Sequence, residues 1–121
     1  MSHQPLPTGK RGEQIARTFL SQKGFLYITS NFHSRFGEID LIMQDKQALV
    51  FIEVKTRSDD SLATPQEAVT PWKIQKIIKT AQYFKLLHSK LPDALRIDVV
   101  AITLELSGEV IKIEHLENVT G

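Results

Sequence analysis

Gly37-Glu-Ile-Asp-Leu-Ile-Met43 and Ala48-Leu-Val-Phe-Ile-Glu-Val-Lys55 are two β-rich runs separated by the polar break Gln44-Asp-Lys-Gln47. Such a pattern predicts an antiparallel hairpin. The break contains neither Gly nor Asn, so the turn type stays open. Alternate residues of a strand share a face, which pairs Glu38 with Asp40 and Glu53 with Lys55. With Lys46 and Gln47 as the two central turn residues, Asp40 falls opposite Glu53 and Glu38 opposite Lys55. Side chains so opposed have Cβ atoms roughly 4.5–5.5 Å apart. Ile39, Leu41, Ile52 and Val54 are expected on the other face, so the acids sit on a strongly apolar ribbon.

Working outward, Ile15, Ala16, Phe19 and Leu20 mark one stripe of a helix over about residues 10–23. Gly24 stands where a helix-terminating glycine is expected. Residues 1–9 read as a flexible arm. Phe25–Asn31 reads as a strand, and Phe32–Phe36 as irregular. Downstream, Ser58–Ser61 is a polar loop and Pro65–Val69 one helical turn. Thr70-Pro71 is a helix start, with Thr as N-cap and Pro first in the helix. Ile74, Ile77, Ile78, Ala81, Phe84 and His88 then follow helical spacing, and the helix should end before Pro92. Arg96–Leu104 is the most apolar strand, and Glu109–His115 is the last. A helix between the third and fourth strands implies a crossover and a parallel pair. The expected fold is α/β, a three-layer-like mixed sheet flanked by helices in the order α-β-β-β-α-β-β, forming a single domain over residues 10–121.

The 121 residues carry 15 basic and 14 acidic side chains, and 41% are hydrophobic. These values describe an ordinary globular chain and exclude disorder over the whole length. The absence of cysteine excludes disulfides, thiolate metal sites and a thiol nucleophile. No apolar run approaches the roughly 20 residues that span a bilayer, and the first twelve residues lack a signal-peptide core. No membrane association is therefore expected, and the expected location is cytoplasmic. A net charge of +1 means that any nucleic-acid surface must come from local clustering.

Two facing carboxylates repel, and a divalent cation offsets that repulsion best. Mg²⁺ takes oxygen ligands, commonly one or two carboxylates with waters and a phosphate. Asp40 and Glu53 supply such ligands, the carbonyl of Val54 adds another, and the Lys55 ammonium stands beside them. Clustered carboxylates with one lysine suit metal-assisted hydrolysis of a phosphodiester. The plain alternative is a solvated strand face.

Asp40, twelve intervening residues and Glu53-Val-Lys55 resemble the Asp…(Asp/Glu)-X-Lys signature of the PD-(D/E)XK nuclease superfamily, which includes restriction endonucleases and archaeal Holliday-junction resolvases. The element order is similar to that restriction-endonuclease-like core. More closely, the chain resembles the YraN-like family of functionally uncharacterised bacterial proteins. The matching segments are Gly12–Ala16, Asn31, Gly37–Ile42, Val50–Arg57, Lys73 and Arg96–Ile102. The resemblance implies that Asp40, Glu53, Lys55 and Glu13 form a catalytic set with Mg²⁺ or Mn²⁺, Glu13 supporting the metal from the first helix. The plain reading of Glu13 is a charge complementing the helix dipole. Glu38 would be an outer acid, or a partner of Lys55 or Arg57. Ile39 replaces the superfamily's proline, and His33 stands where the family more often has arginine.

From Pro71 to Lys90 there are five lysines and no acid. Lys73, Lys76 and Lys79 climb one side of that helix, and Lys73 and Lys76 are candidates for contacting a phosphate backbone. Arg57 is a candidate phosphate clamp. Trp72 is a core or interface anchor, His88 a surface residue, and Arg96 with Asp98 a structural ion pair. The expected function is metal-dependent phosphodiester hydrolysis on nucleic acid, DNA above RNA, read by shape or ends rather than by base. The alternatives are a non-catalytic nucleic-acid-binding module and a protein-interaction module. A homodimer, an expectation borrowed from the resolvases, would supply two sites for a branched substrate.

Overall fold

The computed structural model describes residues 8–58, 64, 67 and 69–120. Helix α1 (Thr8–Gln22) precedes strands β1 (Leu26–Ser34), β2 (Gly37–Asp45) and β3 (Ala48–Ser58). Helix α2 (Pro71–Leu87) leads to β4 (Ala94–Leu104) and β5 (Val110–Leu116). The strands form one sheet in the order β1-β2-β3-β4-β5. β3 and β4 are parallel, from Ala48↔Ala94 to Ser58↔Leu104, and every other neighbouring pair is antiparallel. The expected α/β architecture and element order are therefore found. The α2 crossover makes the parallel pair, since two parallel strands cannot be joined by a tight turn.

Each helix covers one face of the sheet. Ala16 and Leu20 of α1 pack with Leu41, Met43, Val50, Ile52, Val100 and Ile102. Ala81 and Phe84 of α2 pack with Ile39, Ile42, Leu49, Phe51 and Ile97. Coverage on both sides explains why Ile97–Thr103 is buried without interruption. No helix among the described residues is long and apolar enough to cross a membrane.

The helix ends follow local chemistry. Gly24 takes φ 98, and the N–H groups of Gly24 and Phe25 donate to the carbonyls of Ser21 and Leu20. This Schellman pairing needs the left-handed conformation that glycine adopts freely. Thr70 caps α2 by accepting from the Lys73 N–H at 3.3 Å, with Pro71 next, as expected. The helix stops at Leu87, where the Lys85 ammonium donates to the carbonyls of His88 and Ser89.

Several boundaries differ from expectation, most by one or two residues. α1 begins at Thr8, so the proposed arm loses its last two residues, and residues 1–7 lie outside those described. Phe32–Ser34 is strand rather than irregular, pairing with Ile39, Glu38 and Gly37, and only Arg35 and Phe36 form the turn. The Ser34 hydroxyl staples that turn, accepting from the Phe36 N–H and donating to the Gly37 carbonyl. Ser58 closes β3, and the rest of the expected 58–61 loop lies outside the described residues. Of the helical turn expected at 65–69, Glu67 is in 3₁₀ conformation, its N–H on the Thr64 carbonyl, while residues 65, 66 and 68 lie outside. Trp72 is 66% exposed and is not a core residue. It carries the Lys76 ammonium 3.8 Å from its ring centroid.

Candidate functional site

The central hairpin has the expected register, Asp45↔Ala48 to Leu41↔Ile52, around Lys46 and Gln47. Lys46 adopts φ 55, and the Gln44 amide donates to its carbonyl. Past Leu41 the ladder gives way. The Asp40 carboxylate enters the seam and accepts the Val54 N–H at 2.8 Å. In β1, Asn31 stands between the pairs Ser30↔Leu41 and Phe32↔Ile39 in the left-handed region at φ 54. Simple alternation fails here. Ile39 packs with the α2 core, whereas Leu41, Ile52 and Val54 pack with the α1 core. The expectation that all four share one face is thus corrected, and the break falls at Asp40.

The same break changes the expected pairs. Lys55 stands 3.7 Å from Glu53, on its own strand, rather than facing Glu38. Glu38 instead pairs with His33 at 3.1 Å.

Helix α1 brings Glu13 to the seam because Gly12 lies directly on β3. A Cβ at Gly12 would collide with the Thr56 hydroxyl and touch Val54. Glu13 lies in the second turn of α1, whose first turn has no acid, so dipole complementation does not account for it. Its carboxylate accepts from the Asn31 amide at 3.0 Å. A recess of about 280 Å³ is lined by Gly9, Glu13, Asp40, Val54, Lys55 and Thr56. A smaller one of about 70 Å³ is lined by Glu38, Ile39, Asp40, Ile52, Glu53 and Ile77. Asp40 lines both, so the gap between β2 and β3 opens toward α1 and toward α2.

The electrostatics follow from this placement. Burial, opposed by the single Val54 N–H and reinforced by the charges of Glu53, Glu13 and Glu38, pushes the Asp40 carboxyl from 3.8 up to about 6. No cation is among its causes. All oxygen donors here are hard, which suits Mg²⁺ or Mn²⁺ in kind. As the side chains stand, no three acidic or histidine groups among the described residues are grouped to hold one ion. Each acid has a partner of its own, but those of Asp40 and Glu13 are neutral donors. Val54, whose carbonyl is the expected backbone ligand, lines the same recess.

The outlying candidates are spread around this centre. Arg57 pairs with Glu114 at 3.3 Å and donates to the Thr103 hydroxyl. Lys73 precedes Ile77 by one helical turn and so shares the side of α2 that meets the recess. Lys76 lies against Gly37, its Cβ being 3.9 Å from where a Cβ at Gly37 would stand. Sequence reasoning gave no role to the Asn31 side chain or to the His33–Glu38 pair. Asn31 left one signal, an asparagine inside a β-rich run, since this residue tolerates the left-handed region.

Asp98, which is fully buried, is saturated with donors. Arg96 binds it through two nitrogens at 2.9 and 3.0 Å, His115 Nε2 lies at 2.8 Å, and the Asn118 N–H donates at 2.9 Å. Arg96 also reaches Asp45 at 3.0 Å, and Lys23 lies 2.8 Å from His115 Nδ1. Burial favours the protonated acid, but these donors outweigh it and hold Asp98 below its ordinary value. The expected structural pair of Arg96 and Asp98 is present, within a larger network.

Comparison with known proteins adds the following. Residues 12–102 match a family described as "Uncharacterised protein family UPF0102". A UPF0102 protein of Pelobacter propionicus is 45% identical over 114 residues, covering 92% of this chain and 80% of its own. One from Chlorobium phaeobacteroides is 43% identical over 123 residues, covering 98% and 97%. One from Geobacter sulfurreducens is 40% identical over 117 residues, covering 97% and 91%.

Proposed function

We propose, for a chain that belongs to the uncharacterised family UPF0102 and matches the expected YraN-like resemblance, that the Asp40 seam is the centre of a divalent-metal-dependent nuclease. One observation carries the reading. A half-buried carboxyl with one neutral hydrogen bond feels the charges of three further carboxylates, an arrangement that a cation relieves. Asp40, Glu53 and Glu13 would hold Mg²⁺ or Mn²⁺, with the Val54 carbonyl as a backbone ligand. The metal would supply charge neutralisation and a water of lowered pKa.

The chain's own groups then have these tasks. Asp40 is held in the seam by the Val54 N–H and needs no reorientation. Glu53 and Glu13, now partnered by Lys55 and the Asn31 amide, would help hold the cation. Freed from Glu53, the Lys55 ammonium orients the attacking water and offsets phosphate charge. Lys73 and Lys76 meet flanking phosphates, and DNA is the preferred substrate.

A second reading is favoured by the acids being paired apart rather than grouped. It is a non-catalytic module that binds nucleic acid. Cleavage of single-stranded, duplex, flapped and four-way DNA with Mg²⁺ or Mn²⁺ separates the two. The nuclease reading expects cleavage that Glu53→Ala abolishes. Equal cleavage by that variant would mean contamination, and salt-sensitive binding without cleavage would establish the second reading.

A further inference from the structure

A groove of about 840 Å³ lies between the β1–β2 turn and α2, away from the Asp40 recesses. Its size falls in the roughly 300–1,000 Å³ range of small-molecule sites. Lys79, Tyr83 and Leu86 line it from α2, His33 from the end of β1, and Arg35 and Phe36 from the turn. Tyr83 is 39% exposed and Leu86 77% exposed.

The aromatic floor is anchored in the core. The Tyr83 ring lies 6.2 Å from Phe32 and 6.3 Å from Phe36. Phe32 in turn meets buried Phe84 edge-on at 5.0 Å. Arg35 places its guanidinium carbon 5.0 Å from the Phe36 ring centroid. No acid lines the groove, and α2 carries Lys73, Lys76, Lys79 and Lys85 without one. His33 joins the groove to the acidic site through its 3.1 Å pair with Glu38.

We infer that this groove seats an unpaired nucleotide, its base against Tyr83 and Phe36 and its phosphates against Arg35 and Lys79. A duplex covers its base faces by stacking and would use only the cations. An apolar platform rimmed by cations fits an unpaired strand, whose bases are free to stack. The choice of occupant rests on the nucleic-acid reading above, but binding is measured without divalent cation and does not depend on cleavage.

The test uses the full chain and Asp40→Asn in EDTA, with fluorescein-labelled dT12, rU12 and a 12-base-pair duplex read by anisotropy. Both proteins are expected to bind dT12 more tightly than duplex, and the rU12 arm tells whether the sugar is read. Tyr83→Leu is expected to weaken dT12 binding about tenfold or more, the scale of one lost stacked base, and Lys79→Glu by a similar factor through the reversed charge beside the phosphates. Leu86→Glu gives the same loss without risk to the core, because that side chain is mostly exposed. Lys112→Glu on β5, outside the groove, leaves binding unchanged. Absence of dT12 binding, equal binding by the three groove variants, or displacement of dT12 by poly-glutamate as effectively as by unlabelled dT12 would overturn the inference. Cleavage of duplex DNA that depends on Asp40 could survive that failure, so the two readings fail separately.

Discussion

Asp40→Asn should stabilise the metal-free protein at alkaline pH, although it removes the central acid of the proposed site. The carboxyl binds its proton more tightly when folded, with a pKa raised from 3.8 to about 6. A pKa raised on folding gives stability that is complete below the unfolded value and is lost as pH rises through the folded one. At about 1.36 kcal/mol per unit, ionised Asp40 therefore costs the fold at most about 3 kcal/mol at pH 8. Partial exposure of the residue makes about 2 kcal/mol a fairer figure. The amide keeps an oxygen for the Val54 N–H, removes the charge, and offers donors to neighbouring carboxylates. For a chain of this size a gain of about 2–3 kcal/mol raises Tm by roughly 5–10 °C. Calorimetric melts in EDTA should show this gain at pH 8, a smaller one near pH 6, and little difference at pH 4. Adding Mn²⁺ at pH 8 should raise the melting temperature of the wild type and leave Asp40→Asn unmoved. A variant less stable than wild type at pH 8, or a difference that ignores pH, would refute the electrostatic account of the seam.

Other substitutions address the elements that build the site. Gly12→Ala should cost about 1–3 kcal/mol in urea unfolding, since its Cβ meets the Thr56 hydroxyl. In a Thr56→Ala background that cost should fall below about 1 kcal/mol, a coupling that a double-mutant cycle reads directly. Asp98→Asn should destabilise by about 2–3 kcal/mol at pH 7, because it leaves the half-buried Arg96 guanidinium with Asp45 as its one anionic partner among the described residues. The Asp98 pKa is lowered, so its contribution exists above the unfolded value and is lost as pH falls through the folded one. The Asp98→Asn penalty, measured by urea titration, should therefore shrink on acidification below the ordinary carboxylate range. Lys73→Glu and Lys76→Glu should each weaken DNA binding across sequences and reduce the slope of log affinity against log salt by about one.

The parts of the fold that were legible rest on periodicity and on short-range chemistry. Thr70-Pro71 and Gly24 mark helix ends through bonds made within a few residues. The apolar run of β4 places that strand inside the sheet because both faces must be covered. Arg96 and Asp98, two apart on one strand, were legible as a pair. The misread residues depend on how separate strands meet. Nothing local says that Asp40 will enter a seam and bind Val54, so strict alternation placed Ile39 on the wrong face. His115, Lys23 and Asp45 join Asp98 only after α1, β2, β4 and β5 have assembled. The same holds for the groove, whose two walls come from the β1–β2 turn and from residues of α2 more than forty positions later.

Asp40 and Asp98 make a controlled comparison within one sheet. Asp98 is fully buried and Asp40 half-buried, and burial pushes both toward the protonated form. Asp98 answers that push with Arg96, His115 and a backbone N–H, and ends below its ordinary value. Asp40 has one backbone N–H and three like charges, and ends above it. The first arrangement is self-sufficient, because every oxygen has donors and a full cation is already present. The second is incomplete as a structural device, since removing its charge should strengthen the fold. A half-buried acid that the fold would be better without calls for an explanation outside stability, and functional sites are where such groups collect. That asymmetry, rather than the presence of an acidic motif, separates a candidate metal ligand from a structural carboxylate in this chain.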